Sequence, residues 1–488
     1  MYLQNISAPT KLETIATLHP LDHKMISLTL DKKTRTKSNR FFFLPDYLND
    51  KNVYANIQQI LQKNESWNEL KKTLGYYLKN IVLEEKSKLF AEETKLKTEL
   101  EKSFGKPEHA FVTEKIKLLN ELKVRNRIIK NDTQTSLPTP FLSQLLKDQT
   151  KKNEIKLGST PQQNASRLAT YWNDIHKKKH LDAVSMNTFL QTVKRVELPP
   201  DLEEKITLQE VLNSIEALNE KASPGTDQIP ACIYKVFKEL IAPKLLQQFV
   251  KALNCKKLTS GMNTAAIRFL LKKDADPLLP KSYRPISLTN IDSKVLSSIF
   301  AARLQKIIGK IAPQQKAYIK NRIIHDNIFT LDELLKDPDS IAFLSDFTAA
   351  FDSVDHGWLL LVLQSMGFGD YFLNAIETLL SDLVAYPIVD SRIFYENSIR
   401  LQGGVRQGDP LSGLLFLIAL QPLIDFITTK FKNANILCFA DDLATVFFNP
   451  SQARHIVDAF KKFGTASGLL LNPSKSILIT IKKLQLTK

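Results

Sequence analysis

The sequence predicts an α+β fold over residues 201–488, preceded by a mainly helical region. Three observations carry that expectation. In NILCFADDLATVFF, Asn435 to Phe448, two apolar strand-forming runs flank Asp441-Asp442, the pattern of strand, tight turn and strand. The apolar run Ile341–Leu344 ends against Asp346 and gives way to a helical pattern from Trp358 to Gln364. Finally, after Pro199-Pro200 turn signals become frequent and helices alternate with short strands.

At 488 residues the chain has room for two or three domains. With 43% hydrophobic and 24% charged residues it is globular in composition, not disordered. Lys and Arg total 67 against 51 acidic residues, a net charge of +16, which favours an anionic partner such as nucleic acid. A solvated basic surface accounts for the charge equally well. Cys232, Cys255 and Cys438 form no C-x-x-C pair, which excludes a disulfide framework and a zinc knuckle and fits a reducing compartment. The N-terminal residues lack a signal-peptide layout. The run LLFLIALQPLIDF after Gly413 is interrupted by Gln421, Pro422 and Asp425 and reads as too short and polar to cross a bilayer. The expectation is an intracellular, non-secreted protein without a membrane partner. HKKKH, His176 to His180, is a candidate nuclear-import signal or plain basic surface. The oligomeric state is not legible.

Residues 1–45 hold one strand-like run, KMISLTLD, and a basic stretch; residues 46–200 read as a helical, basic region. EEKSKLFAEETKLKTELEKSF and VTEKIKLLNELKVRNRIIK place apolar residues at three- and four-residue intervals, with Gly105 and Pro107 between them. Two segments rich in Ser, Thr and Pro, Thr133–Pro140 and Lys156–Asn164, resemble linkers, and a helix through RLATYWNDI follows.

Past the boundary, Lys221 and Ser223-Pro224-Gly225 offer a cation and backbone amides, a candidate phosphate seat or simply a turn. Arg284 precedes Pro285, so its backbone is held extended, and guanidinium suits bidentate phosphate contact. Lys316, Lys320 and Arg322 interleave with Tyr318, as in single-strand contacts. Asp346 ends a buried-type strand, a common position for a metal ligand, and Phe351 lies five residues on. Asp352 and Asp355 read as helix caps. Gly403, Gly404, Gly408 and Gly413 punctuate a loop that becomes a helix near Pro410. Asp441-Asp442 among Leu, Cys, Phe and Val calls for a cation, Mg²⁺ by hardness, unless the pair is a solvated hairpin tip.

In order, KASPGTDQIP, SYRPISLTNIDSKVLSSIFAARL, QQKAYIKNRIIHDNI, FLSDFTAAFDSVDH, GGVRQGDPLSGLLF, FADD and FGTASGLLLNPSKS resemble the motifs of a reverse transcriptase, most of all the non-long-terminal-repeat (LINE-type) retrotransposon family. The resemblance covers roughly residues 205–480. It implies a right-hand polymerase with fingers and a palm on a ferredoxin-like sheet over residues 201–488. It implies RNA-directed DNA polymerase activity on an RNA template, a DNA primer and dNTPs. Asp346, Asp441 and Asp442 would be catalytic and hold two Mg²⁺ ions. Phe351 falls at the steric gate against a ribose 2′-OH, and Gln407 and Gly408 lie beneath the incoming nucleotide. Arg284 would touch triphosphate or template, Lys475 would protonate pyrophosphate, and Lys221, Gln315 and Arg322 would contact nucleic acid.

Departures from the pattern accompany the resemblance. Ala317, Tyr318 and Asn321 stand where the family favours Gly, Phe and Gly, and Gln228 stands where it favours Gly. The sequence ends at Lys488, soon after the lysine motif, so the expectation is that the thumb is missing. HPLDHKMISLTL resembles the last motif of an apurinic-type endonuclease with Leu21 in place of Ser, so residues 1–45 read as a remnant without nuclease activity. Two alternatives stand beside the polymerase: a catalytically impaired relic that only binds nucleic acid, and an intron-encoded maturase, against which Asp22-His23 argue.

Overall fold

A computed structural model describes strands β1 (Lys11–Ile15) and β2 (Met25–Thr29), residues 45–102, and residues 160–480 except Lys221 and Ser260, with Phe43, Ile155, Leu157 and Gly158 besides. Asp22, His23, Lys221 and the second charged helix pattern lie outside the described residues. KMISLTLD supplies β2 as expected, and β1 pairs with it antiparallel.

Two sheets organise the residues after Pro200. One contains β3 (Thr264–Leu271), β4 (Tyr283–Thr289), β6 (Val384–Val389) and β7 (Arg392–Ile393) in the order β4-β3-β6-β7, with β8 (Ile399–Arg400) also beside β6. In it β3 and β6 run parallel, and the remaining pairs are antiparallel. The other is wholly antiparallel, ordered β11-β5-β10-β9, from β5 (Ile341–Ser345), β9 (Asn435–Phe439), β10 (Asp442–Phe447) and β11 (Ile477–Thr480). The chain is α+β, as the sequence predicts.

The period-two alternation fixes which face of the second sheet is covered. Phe343, Leu443, Thr445 and Phe447 are buried; Phe343 meets Phe460 of the helix Gln452–Ser467 edge-on at 5.2 Å. The helix His356–Met366 sends the Trp358 indole N–H to the Ala419 carbonyl at 2.9 Å, joining it to the helix Ser412–Lys430. That last helix is longer than the interrupted run suggests. At 19 residues and mean hydropathy 1.6 it is long and apolar enough to cross a membrane, yet 78% of its most apolar window is buried inside the protein. Within it the Gln421 side-chain amide donates to Asp425 at 2.9 Å, one turn on, so two of the three interrupting residues meet each other.

The N-terminal helices are docked by charge as well as by apolar packing. Lys51–Gln62 is capped by Asp50, and the 36-residue helix Trp67–Lys102 follows. Lys71 is buried between Asp292 at 2.7 Å and Asp227 at 2.8 Å, and the Trp67 indole donates to Asp292 at 3.1 Å. Burial alone would lower the Lys71 ammonium, but the two carboxylates outweigh it and raise it. Arg303 fixes the next layer: it is bidentate to Glu210 at 2.7 and 2.9 Å, and Glu210 completes a capping box with Thr207.

Two departures from the family pattern acquire a physical reading here. Gln228 (φ +61°) and Asn321 (φ +62°), both standing for glycine, hold left-handed backbone. Both are positions at which glycine would be the least strained residue.

Removing Lys71 while leaving both carboxylates buried is the sharpest test of this docking. Lys71→Met is expected to lower unfolding free energy by about 3–5 kcal/mol, read from urea denaturation midpoints, and an unchanged midpoint would contradict the docking.

Candidate active site

Strand register brings the three carboxylates together. β10 pairs with β5 so that Leu443 faces Ser345; continuing that register by one residue sets Asp442 beside Asp346, whose charge acts on both Asp441 and Asp442. Asp346 and Asp442 belong to the face shared by Leu344 and Ala444, opposite the face that carries Phe343 and Leu443. The hairpin tip differs from the sequence reading by one residue. Phe439 pairs with Asp442, so Ala440 and Asp441 form the two-residue turn, and Asp442 is the first residue of β10. Burial, then the neighbouring Asp442 and Asp346, raise the Asp441 carboxyl above its ordinary value; burial and then Asp346 raise Asp442.

The turn is held from below by Gln315. Ala440 has φ +54°, a left-handed conformation that costs a non-glycine residue about 1–2 kcal/mol. The Gln315 side chain donates to the Ala440 carbonyl at 3.0 Å and accepts from the Ala440 amide at 3.0 Å. Gln315 is fully buried, and the Lys316 amide bonds the Cys438 carbonyl at 2.9 Å beside it. Gln315 is therefore not placed to touch nucleic acid; it is a clamp on the residue before Asp441. Arg322, the companion expectation, is likewise occupied. Its guanidinium donates to the carbonyls of Gly309, Ala312, Pro313 and Gln315 at 2.7–3.1 Å, closing the loop that carries Gln315.

Asp346 is oriented by the segment after the helix Gln452–Ser467. The Asn472 amide donates to Asp346 Oδ2 at 2.8 Å, and the Ser476 hydroxyl accepts from the Asp346 amide at 3.2 Å. Lys475, two-thirds exposed, reaches within 3.9 Å of the same oxygen. The sequence reading included Lys475 but not Asn472; the Asn-Pro turn signal marks a loop without saying what it faces.

Phe351 stacks on Phe416 at 4.4 Å and meets Tyr318 edge-on at 6.1 Å, so its ring is fixed between two others. Tyr318, Lys306 and Lys320 line an open cleft of about 580 Å³ beside it. Gln407 donates to Asp352 Oδ2 at 2.8 Å, and the Ser287 amide donates to the Gln407 carbonyl at 2.8 Å. Gly408 needs its glycine: φ is +106°, and a Cβ would lie 2.8 Å from the Ser287 carbonyl oxygen. Asp355 caps its helix through the Trp358 amide, as expected. Asp352 does not; it is buried, and burial pushes its carboxyl up to about 7 despite the Gln407 bond.

Arg284 is exposed on β4, opposite Leu270. Burial, then the like charges of Lys475 and Arg284, lowers the Lys272 ammonium, while Asp352 and Asp346 oppose that shift. Lys272, Arg284 and Lys475 thus form a basic rim around the carboxylates, and Lys272 was missed because a strand-end Lys-Lys reads as surface. The Ser-Pro-Gly segment is a packed turn: a Cβ on Gly225 would lie 2.1 Å from Asn290 Oδ1, which also accepts from the Asp227 amide.

Among the described residues, no three His, Cys, Asp or Glu side chains form a ready-made metal cage. The donor set nevertheless suits a hard divalent cation: carboxylate oxygens, partly buried, whose like charges oppose ionisation of Asp441 and Asp442.

Two outcomes follow from this geometry. Gln315→Leu strands both polar groups of Ala440 and is expected to cost about 1–3 kcal/mol in denaturant unfolding; retention of full stability would contradict the clamp. Because the Asp441 pKa is raised, its contribution to stability is present below the ordinary value of 3.8 and is lost as pH rises through the folded value. Asp441→Asn is therefore expected to raise the melting temperature in metal-free buffer at neutral pH, with the gain vanishing at more acid pH; a lowered neutral-pH melting temperature would count against the repulsion.

Comparison with known proteins relates the stretch that carries this site to a family. Residues 270–486 match the family described as "Reverse transcriptase (RNA-dependent DNA polymerase)". The chain is 28% identical over 290 residues to a Xenopus laevis protein named "Transposon TX1 uncharacterized 149 kDa protein", covering 56% of this chain and 22% of that one. It is 28% identical over 293 residues to the "Retrovirus-related Pol polyprotein from type-2 retrotransposable element R2DM" of Drosophila melanogaster, covering 57% and 26%. With the "RNA-directed DNA polymerase from mobile element jockey" of Drosophila funebris, identity is 24% over 312 residues, covering 60% and 33%. The matched stretch thus spans no more than a third of these relatives' length. Over residues 270–486 the chain is similar to reverse transcriptase domains, and over somewhat more than half of its length to proteins named for transposons and retrotransposable elements.

Proposed function

We propose that this chain carries the fingers and palm of an RNA-directed DNA polymerase of a LINE-type retrotransposon, joining dNTPs to a primer 3′-hydroxyl on an RNA template. The observation that carries the reading is the register that sets Asp442 opposite Asp346 with Asp441 in the adjoining turn. On this reading the antiparallel sheet β11-β5-β10-β9 is the palm, and β3 and β4 belong to the fingers.

Two Mg²⁺ ions held by Asp346, Asp441 and Asp442 would supply primer-hydroxyl activation and charge neutralisation. The remaining work belongs to the chain's own side chains, and it is chiefly positioning and charge placement. Phe351, braced by Phe416 and Tyr318, presents a fixed ring edge to the sugar and so disfavours a 2′-hydroxyl. Gln407, tied to Asp352, sets the floor beneath the base. Lys272 and Arg284 offer charge to the triphosphate. Lys475, beside Asp346, is placed to hand a proton to the departing pyrophosphate. The basic, aromatic cleft at Lys306, Tyr318 and Lys320 suits the template strand.

Primer extension on an RNA template with Mg²⁺ and dNTPs tests the reading. Wild-type chain is expected to extend, and Asp441→Ala to lose at least about a hundredfold. Extension that survives in Asp441→Ala overturns the catalytic assignment, whereas wild-type chain that binds template and primer without extending them supports a binding-only relic.

A further inference from the structure

HKKKH, His176 to His180, carries a role that neither a nuclear-import signal nor plain basic surface describes. Lys177, Lys178 and His180 are exposed, but His176 is buried and Lys179 is half-buried. Both side chains reach the loop and short helix that bear the nucleotide-side residues. His176 Nδ1 lies 2.8 Å from the Gly403 carbonyl oxygen, so that nitrogen carries the proton and Nε2 is left as an acceptor. Nε2 faces Asp352 Oδ1 at 3.9 Å, beside a small cavity also lined by Ser287 and Arg406. The spacing is too long for a direct hydrogen bond and suits a bridging water. Lys179 Nζ donates to the Ser353 carbonyl at 2.8 Å and to the Gly468 carbonyl at 2.9 Å.

The grip is reinforced from the other side. The Gly404 amide bonds the Val354 carbonyl and the Val405 amide bonds the Phe351 carbonyl, each at 2.7 Å, so the glycine-rich loop and the helix Ala350–Ser353 move as one piece. A Cβ on Gly404 would lie 2.7 Å from the Asp352 carbonyl oxygen, so nothing larger fits between them. Asp352 in turn accepts from Gln407. His176 therefore stands at the back of a chain that runs His176, Asp352, Gln407, and it comes from upstream of the matched residues 270–486.

We propose that His176 and Lys179 are positioning residues for the nucleotide pocket: His176 braces the Asp352–Gln407 pair and Gly403, and Lys179 fastens the end of the helix that carries Phe351 and Asp352. The assignment rests on the polymerase reading given above. Burial favours it, because it holds His176 down to about 4 and pushes Asp352 up to about 7, so near neutrality an uncharged imidazole faces the carboxyl.

Three full-length variants test it. His176→Phe fills the space without a polar atom, His176→Asn keeps a donor where Nδ1 stands, and Lys179→Met removes the ammonium. In single-nucleotide extension, His176→Phe and Lys179→Met are expected to raise the KM for dNTP by about tenfold to a hundredfold with kcat much less affected. His176→Asn is expected to recover most of the loss. Unchanged KM in both disrupted variants, or no recovery by His176→Asn, overturns the proposal. Hydrogen–deuterium exchange of the peptides covering residues 346–355 and 401–409 supplies a readout that needs no activity. His176→Phe and Lys179→Met are expected to speed exchange in both peptides, with His176→Asn close to wild type, and unchanged exchange overturns the brace even if the wild-type chain proves inactive. Wild-type inactivity with accelerated exchange in the variants defeats the polymerase reading and leaves the brace standing.

Discussion

Everything at the site depends on the antiparallel pairing of β5 with β10. A slip by one residue would turn Asp442 to the helix-covered face, where a carboxylate has no counter-charge. The register is held by the buried residues Phe343, Thr445 and Phe447, which face the helix side of the sheet. Side-chain packing within the sheet thus fixes where the carboxylates emerge at its end. The cost of this arrangement is electrostatic, and it shows as the raised Asp441 and Asp442 carboxyls. Such groups are poised to accept a divalent cation, since the charge that opposes their ionisation is the charge a cation would relieve.

The supporting shell is built from main-chain groups held by side chains. Gln315 takes both polar groups of Ala440, Arg322 takes four carbonyls of the loop that presents Gln315, and Asn472 orients Asp346. These residues work through position, and Gln315 is buried away from any ligand. Their polar groups are satisfied inside the protein, so the carboxylates stand on a rigid base and the flexible, exposed groups are the cations at the rim, Arg284 and Lys475. On the proposed polymerase reading that division has a use, because reacting oxygens must be placed closely while charges that meet a moving substrate need reach.

The upstream region is tied into the same body by two different devices. Lys71 links the helix Trp67–Lys102 to Asp292 and Asp227 through a buried ion cluster, and the segment at His176 reaches the glycine-rich loop through carbonyl contacts. Both connect residues far apart in sequence, and neither is visible as a motif. A buried Lys reads in a sequence like any other Lys on a charged helix, and HKKKH reads like surface.

The α+β class, the strands around Asp346 and Asp441, the buried-type run at Ile341 and the cap at Asp355 were legible in the sequence, because each depends on local periodicity, turn chemistry or capping. The candidate carboxylates stood out only in combination: Asp441-Asp442 alone reads as readily as a solvated hairpin tip, and the ordered motifs around the pair turned the reading toward a site. Tertiary structure decided what those signals could not. It moved the hairpin tip to Ala440-Asp441, turned Gln315 and Arg322 from nucleic-acid contacts into internal clamps, and made Asp352 a buried partner of Gln407. Each of these depends on which distant backbone group a side chain meets. A sequence states that a side chain can donate or accept, and only the folded chain states to what.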